Sequence, residues 1–144
     1  MIEKKLRKEL IKSKSASIVK SLDFIEENLP QNIGEFLNSK LIRNAVYKEV
    51  EFAIELVIDI CAIINSDLRF NIPEDDEDII NNIEKEKIFD KKTILIIREM
   101  KRFRNVLVHK YGDIDNKQAF ESIKEGLKDF ETIINDIEKF LKNN

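Results

Sequence analysis

Turn-forming residues are scarce in this chain. Only three glycines and two prolines occur among its 144 residues. That is poor material for the tight turns of a many-stranded sheet, and it suits long helices joined by few loops. There is one cysteine and no tryptophan. A lone thiol staples nothing, and Cys61, set in the mostly apolar run Val57 to Ile64, reads as a small core residue. The single histidine cannot join that cysteine in a zinc set, and the acidic run Glu74 to Asp78 lacks calcium-loop spacing. No metal and no cofactor are called for. Long apolar runs are missing too, since Glu or Asp interrupts them every few residues. The opening Met1-Ile2-Glu3-Lys4-Lys5 has no leader-like apolar continuation, so a soluble cytoplasmic protein without a membrane segment is expected.

What is present is charge and helical periodicity. Hydrophobic residues make up 42% and charged residues 37%, with a net charge of −3. The length suits one domain over residues 1–144. Four long amphipathic stretches are predicted. The first runs from Ile2 to Asn28 with Leu6, Leu10, Ile18, Leu22 and Ile25 on one face, and ends before Pro30. The second spans Lys40 to Asn65, where Val46, Val50, Ala53, Ile54, Val57, Ile58, Cys61 and Ile64 form a stripe wide enough for a central helix. A third begins near Asp90 with Ile94, Ile97, Met100, Phe103 and Leu107. The last covers Asn116 to Lys142, with Phe120, Ile123, Leu127, Phe130, Ile134, Ile137 and Leu141 at alternating steps of three and four. Short helices are predicted over Ile33 to Leu37, capped by Asn32, and over Glu74 to Lys87, with Asn38 or Ser39 capping the second long helix. The fold class is all-α, an up-and-down bundle of four to five helices.

Charge is unevenly spread. Seven Lys or Arg fall between Lys91 and Lys110, while Glu74 to Asp78 are five consecutive acids. The first reading is a basic helix face with a compensating acidic loop. The second is a local phosphate site on an otherwise acidic protein.

Residues 103–112, Phe-Arg-Asn-Val-Leu-Val-His-Lys-Tyr-Gly, hold the only histidine and one of two tyrosines, next to a glycine placed to end the helix. Asn105 and His109 are four apart and share a helix face, so the Asn amide is positioned to hold the imidazole in one tautomer. Arg104 and Tyr111 are seven apart and also share a face. Arg104 and His109, five apart, diverge by about 140°. For both to act on one phosphate, the Arg must reach round, the helix end must distort, or a second chain must contribute. Cleavage of an RNA phosphodiester needs a base for the 2′-hydroxyl, an acid for the leaving oxygen and positive charge on the phosphorane. Histidine suits the first two and arginine the third. The plainer readings are a histidine complementing the helix dipole, a solvated arginine and a packing tyrosine.

The string Arg104-x4-His109-x-Tyr111, followed by Asp113-Ile114-Asp115, resembles the motif of the HEPN superfamily and, within it, of the minimal HepT-like toxins. The stretch Phe52 to Ile60, with acids at Glu55 and Asp59, resembles the central helix of that family. The resemblance covers roughly residues 32–142; residues 1–30 match only in helical character. It implies a homodimer in which two motif copies face each other, with Arg104 and His109 as catalytic residues of a metal-independent endoribonuclease and Asn105 in support. Glu55 and Asp59 either orient the motif or pair with Arg102 or Lys101 for structure. It further implies an RNA substrate, a toxin–antitoxin role and a cognate MNT-type nucleotidyltransferase antitoxin that AMPylates Tyr111. The competing reading is a non-catalytic subunit that helps a nucleotidyltransferase hold nucleotide or RNA.

Overall fold

The computed structural model describes residues 5–144. Its helices are α1 (Lys8–Asn28), α2 (Ile33–Asn38), α3 (Lys40–Asp67), α4 (Asp76–Lys85), α5 (Lys91–His109) and α6 (Asn116–Lys142), with a 3₁₀ turn at Tyr111–Asp113 between the last two. The four long helices are those read from the periodicity. Two short ones, α2 and α4, bring the count to six, and among the described residues there is no strand. No helix is long and apolar enough to cross a membrane.

Local chemistry sets the helix ends. Asn32 Oδ1 accepts the Gly34 N–H at 2.6 Å, Ser39 Oγ the Ile42 N–H at 3.1 Å, and Asp75 Oδ1 the Asp78 N–H at 2.9 Å. Asp115 Oδ1 accepts from Gln118 N at 3.1 Å. Each supplies an acceptor to a backbone donor that has no partner within its helix. At two C-termini a non-glycine residue takes the left-handed conformation. Arg69 (φ 57°) follows α3 and Lys87 (φ 53°) follows α4. The N–H groups of Phe70 and Ile88 then reach back to Asn65 and Ile83, at 3.0 and 3.1 Å, closing each end in the Schellman manner.

Two expected boundaries move. The expected start of the first helix at Ile2 lies outside the described residues, but residues 5–7 are not helical and α1 begins at Lys8. The cause is Asp67 at the end of α3. It takes the Arg7 backbone N–H at 2.9 Å and the Arg7 guanidinium at 2.9–3.1 Å, and so fixes the chain in a non-helical entry. Burial raises the Asp67 carboxyl, but the hydrogen bonds and charge of Arg7 outweigh it and hold it below the usual carboxylate range. Gly112 does not end α5. The helix stops at His109, and the 3₁₀ turn is closed by Asp113 N–H to Lys110 O at 2.9 Å, with no glycine at positive φ.

The core runs the length of α3, where Val46, Val50, Ala53, Ile54, Val57, Ile60, Cys61 and Ile64 are buried. Helix α3 packs against α1, α4 and α5, and α6 closes the bundle against α1 and α5. Cys61 is 1% exposed, and burial pushes its thiol up to about 12, as expected for an inert core cysteine. Leu10, expected on the apolar face of α1, points outward instead, and Ile11 is buried. On α6 the buried positions include Ile133 and Phe140, while Leu127, Ile134 and Leu141 are only partly buried, because 3.6 residues per turn drift against a strict seven-residue stripe.

The buried polar side chains tie helices together. Ser21 Oγ of α1 donates to Glu49 Oε1 of α3 at 2.8 Å, and Thr93 Oγ1 of α5 to Asp136 Oδ2 of α6. Asn65 of α3 accepts from Asn82 of α4 at 2.8 Å. A buried polar group that lost its partner would carry the cost of desolvation, so these pairs fix which helix faces which.

Candidate active site

Arg104 lies on α5 in the angle between α3 and α4, and its side chain is 12% exposed. Three oxygens from three helices hold it. Nη1 donates to Glu55 Oε1 of α3 at 3.0 Å, and Nη2 donates to Asp76 Oδ2 of α4 at 3.1 Å and to Asn105 Oδ1 at 3.0 Å. An arginine held this way has lost most of its rotamer freedom, so its fork of donors is fixed in direction.

Asn105 therefore differs from expectation. Its side chain accepts from Arg104 and, among the described residues, makes no hydrogen bond to His109. The neighbouring guanidinium is the stronger donor, and it claims the carbonyl oxygen. His109, the last residue of α5, is exposed and its side chain makes no hydrogen bond among the described residues. It sits at the negative end of the helix dipole. Arg104 turns inward and His109 outward, in keeping with the 140° between them on one helix.

Of the two acids on α3, only Glu55 reaches the motif. Asp59 lies one turn further along and pairs with Lys14 of α1 at 3.5 Å. Neither pairs with Lys101 or Arg102; Lys101 goes to Glu77 Oε2 at 2.8 Å.

Tyr111 stands in the 3₁₀ turn, 50% exposed, with its hydroxyl hydrogen-bonded to Asn44 Oδ1 of α3. It borders an open groove of about 250 Å³ together with Lys40, Arg43, Asn44, Tyr47 and Asn116. Tyr47, by contrast, is buried, and its hydroxyl donates to Asn116 Oδ1 at 2.7 Å. Burial pushes it up to about 12.

Of the seven cations between Lys91 and Lys110, Arg98, Lys101 and Arg104 are ion-paired, while Lys91, Lys92, Arg102 and Lys110 are exposed with no ion pair among the described residues. Arg98 pairs with Glu77 and Glu84 of α4, both at 3.2 Å, and its side chain is 18% exposed. Glu77 is held below the usual carboxylate range first by the hydrogen bond from Lys101, against opposing burial, with Arg98 adding to the effect. A compensating acidic segment is found for Arg98, Lys101 and Arg104, which pair with α4, and not for the exposed Lys91, Lys92, Arg102 and Lys110. Sequence reasoning missed Asp76 and Asn44 as partners of Arg104 and Tyr111. The acidic run marked the region of Asp76, but only the docking of α4 selects one acid from five.

The fold and the inward arginine, outward histidine and exposed tyrosine define a helical bundle that carries an Arg-x4-His-x-Tyr motif at the end of one helix. The family model described as ribonuclease HepT-like matches residues 18–137, and the chain belongs to that family. A relative from Methanocaldococcus jannaschii, named "Putative RNase MJ1548", is 27% identical over 86 residues, which are 60% of this chain and 98% of the relative. The chain has the fold of a tri-AMPylated Shewanella oneidensis HEPN toxin solved in complex with an MNT antitoxin, with a TM-score of 0.82 and 22% identity over 90% of this chain and 96% of that one. It is also similar in fold to YutE of Bacillus subtilis, a cytosolic protein of unknown function, with a TM-score of 0.69 and 20% identity over 89% and 90% of the two chains.

Proposed function

We propose that this chain is an endoribonuclease toxin, active as a homodimer in the cytoplasm, and neutralised by an MNT-type nucleotidyltransferase antitoxin that AMPylates Tyr111. The observation that carries the reading is Arg104, immobilised by Glu55, Asp76 and Asn105 on the same helix whose last residue is an unengaged His109.

His109 withdraws the proton of the ribose 2′-hydroxyl, and the 2′-oxygen attacks the adjacent phosphorus. The bond from phosphorus to the 5′-oxygen breaks. A protonated imidazole returns a proton to that leaving oxygen, which yields a 2′,3′-cyclic phosphate and a free 5′-hydroxyl. Arg104 neutralises the charge that accumulates on the phosphorane oxygens. One helix points the two groups apart, and a symmetry-related chain supplies the facing His109 or Arg104. Glu55 keeps the guanidinium in place. The exposed Tyr111 hydroxyl is open to a transferase, and an adenylyl group there adds phosphate charge that competes for the motif cations and obstructs the cleft.

The test is cleavage of single-stranded RNA by the purified chain in EDTA, beside His109→Ala. The variant is expected to melt at the same temperature and to lose at least about a hundredfold in rate. Full activity in His109→Ala, or binding of RNA by the wild-type chain with no cleavage, would remove the enzyme assignment and leave the binding-subunit reading. For the partnership, the intact mass of Tyr111 and Tyr111→Phe chains co-expressed with the neighbouring nucleotidyltransferase is decisive: adenylyl groups are expected on the first and not on the second.

A further inference from the structure

We infer that Asp76 is the group an RNA phosphate displaces from Arg104, so that the first turn of α4 sets how tightly this chain holds RNA. The inference rests on the reading of Arg104 as the phosphate-binding arginine. Around that guanidinium stand two carboxylates, Glu55 at 3.0 Å and Asp76 at 3.1 Å. One positive charge faces two negative ones, so an arriving phosphate meets a surplus of its own sign. Both terminal nitrogens are also engaged, and a bidentate phosphate needs two adjacent donors free. One carboxylate has to give way.

The two differ in how easily they can move. Glu55 projects from the middle of the 28-residue α3, between the buried Ile54 and Leu56. Exposure does not separate them, with the Glu55 side chain at 44% and Asp76 at 37%, but Asp76 is the first residue of the 10-residue α4, where fewer helical hydrogen bonds hold the backbone. When released from Arg104 its carboxylate still lies at the positive end of the α4 dipole, which stabilises it there. The rest of α4 stays docked through Ile79, Ile80 and Ile83 and through the Asn82–Asn65 hydrogen bond. Glu77 and Glu84 keep hold of Arg98 and Lys101. Within the seam between α4 and α5 the opening is thus confined to Arg104. Asp76 is a positioning residue in the free chain and a competitor for substrate.

The experiment measures binding of a fluorescent RNA oligonucleotide by anisotropy in the full chain carrying His109→Ala, so that the RNA stays intact. Adding Asp76→Asn is expected to tighten binding about three- to fivefold at low ionic strength, the range of a half-exposed ion pair, with the gain shrinking as salt is added. In the chain with His109 intact, the gain falls on KM rather than kcat. Glu86→Gln removes the same charge about 15 Å along α4, beyond the screening length at physiological salt, and is expected to leave binding unchanged. Asp76→Ser, which also suits the first turn of a helix, guards against a local loss of α4 in the Asn variant and is expected to tighten binding likewise. Binding that is unchanged or weaker in both Asp76 variants overturns the inference, as does equal tightening by Glu86→Gln. Tighter binding in the Asp76 variants of a chain that never cleaves RNA supports Asp76 as the phosphate's competitor while sinking the ribonuclease reading.

Discussion

Glu77 shows how a single carboxylate on α4 serves two cations. Lys101 holds it at 2.8 Å and Arg98 at 3.2 Å, and the carboxyl is depressed as a result. A depressed carboxyl contributes stability that is complete above its unfolded pKa of about 4.3 and is lost as pH falls through the folded value. The side chain is 45% exposed, so solvent screening limits the contribution to about 0.5 kcal/mol. Glu77→Gln is therefore expected to melt slightly below the parent at pH 7, with the gap closing as the pH is lowered from 6 to about 3. A gap that widens in acid would contradict the assignment of these ion pairs. Arg104, His109 and Tyr111 stand differently at this scale. They were named from their order along one helix, yet the oxygens that hold two of them, on Asp76 and Asn44, come from distant parts of the chain.

Among the elements, the two shortest, α2 and α4, depend most on packing, and α4 also supplies Asp76 to Arg104. Helix α2 has six residues and one fully buried side chain, Phe36, which meets Tyr47 of α3 and Phe120 of α6 with ring centroids 5.7 and 5.1 Å apart. A helix this short has little stability of its own and is held by packing. Phe36→Ala is expected to cost about 3–5 kcal/mol, read by urea denaturation; a loss under 1 kcal/mol would mean that α2 is held by something else. Helix α4 is followed by Lys87 at φ 53°, exposed and non-glycine. The left-handed conformation costs an L-residue about 1–2 kcal/mol, part of which glycine returns as unfolded-state entropy. Lys87→Gly is expected to raise the melting temperature by about 2–4 °C. A lower melting temperature would show that the Lys side chain contributes more than the strain removes.

For the molecule as a whole, the net charge of −3 is arranged so that α4 answers Arg98, Lys101 and Arg104 of α5, and of these only Arg104 belongs to the motif. The proposed dimer is where Arg104 of one chain meets His109 of another. Mixing Arg104→Ala and His109→Ala chains, each inactive alone, is expected to restore a measurable fraction of RNA cleavage once subunits exchange, since the mixed dimer retains one arginine and one histidine. No recovery in a mixture shown by native mass to contain heterodimers would rule out a site shared between chains.

The four long helices and their approximate spans were legible in the sequence because each carries its own apolar stripe, and a period near 3.6 needs no knowledge of neighbours; the total, expected as four to five, is six because α2 and α4 both form. Also legible was the Arg-x4-His-x-Tyr segment, whose residues lie within eight positions of one another. Pairings across the bundle were not. Glu55 and Asp59 share one helix and one chemistry, yet the first meets Arg104 and the second Lys14, because which partner each acid finds depends on how α1, α4 and α5 dock around α3. Asn105 likewise answers Arg104 rather than His109. Local order along the chain fixes periodicity and caps, whereas electrostatic partnership depends on distances of a few ångströms between helices, and only packing sets those.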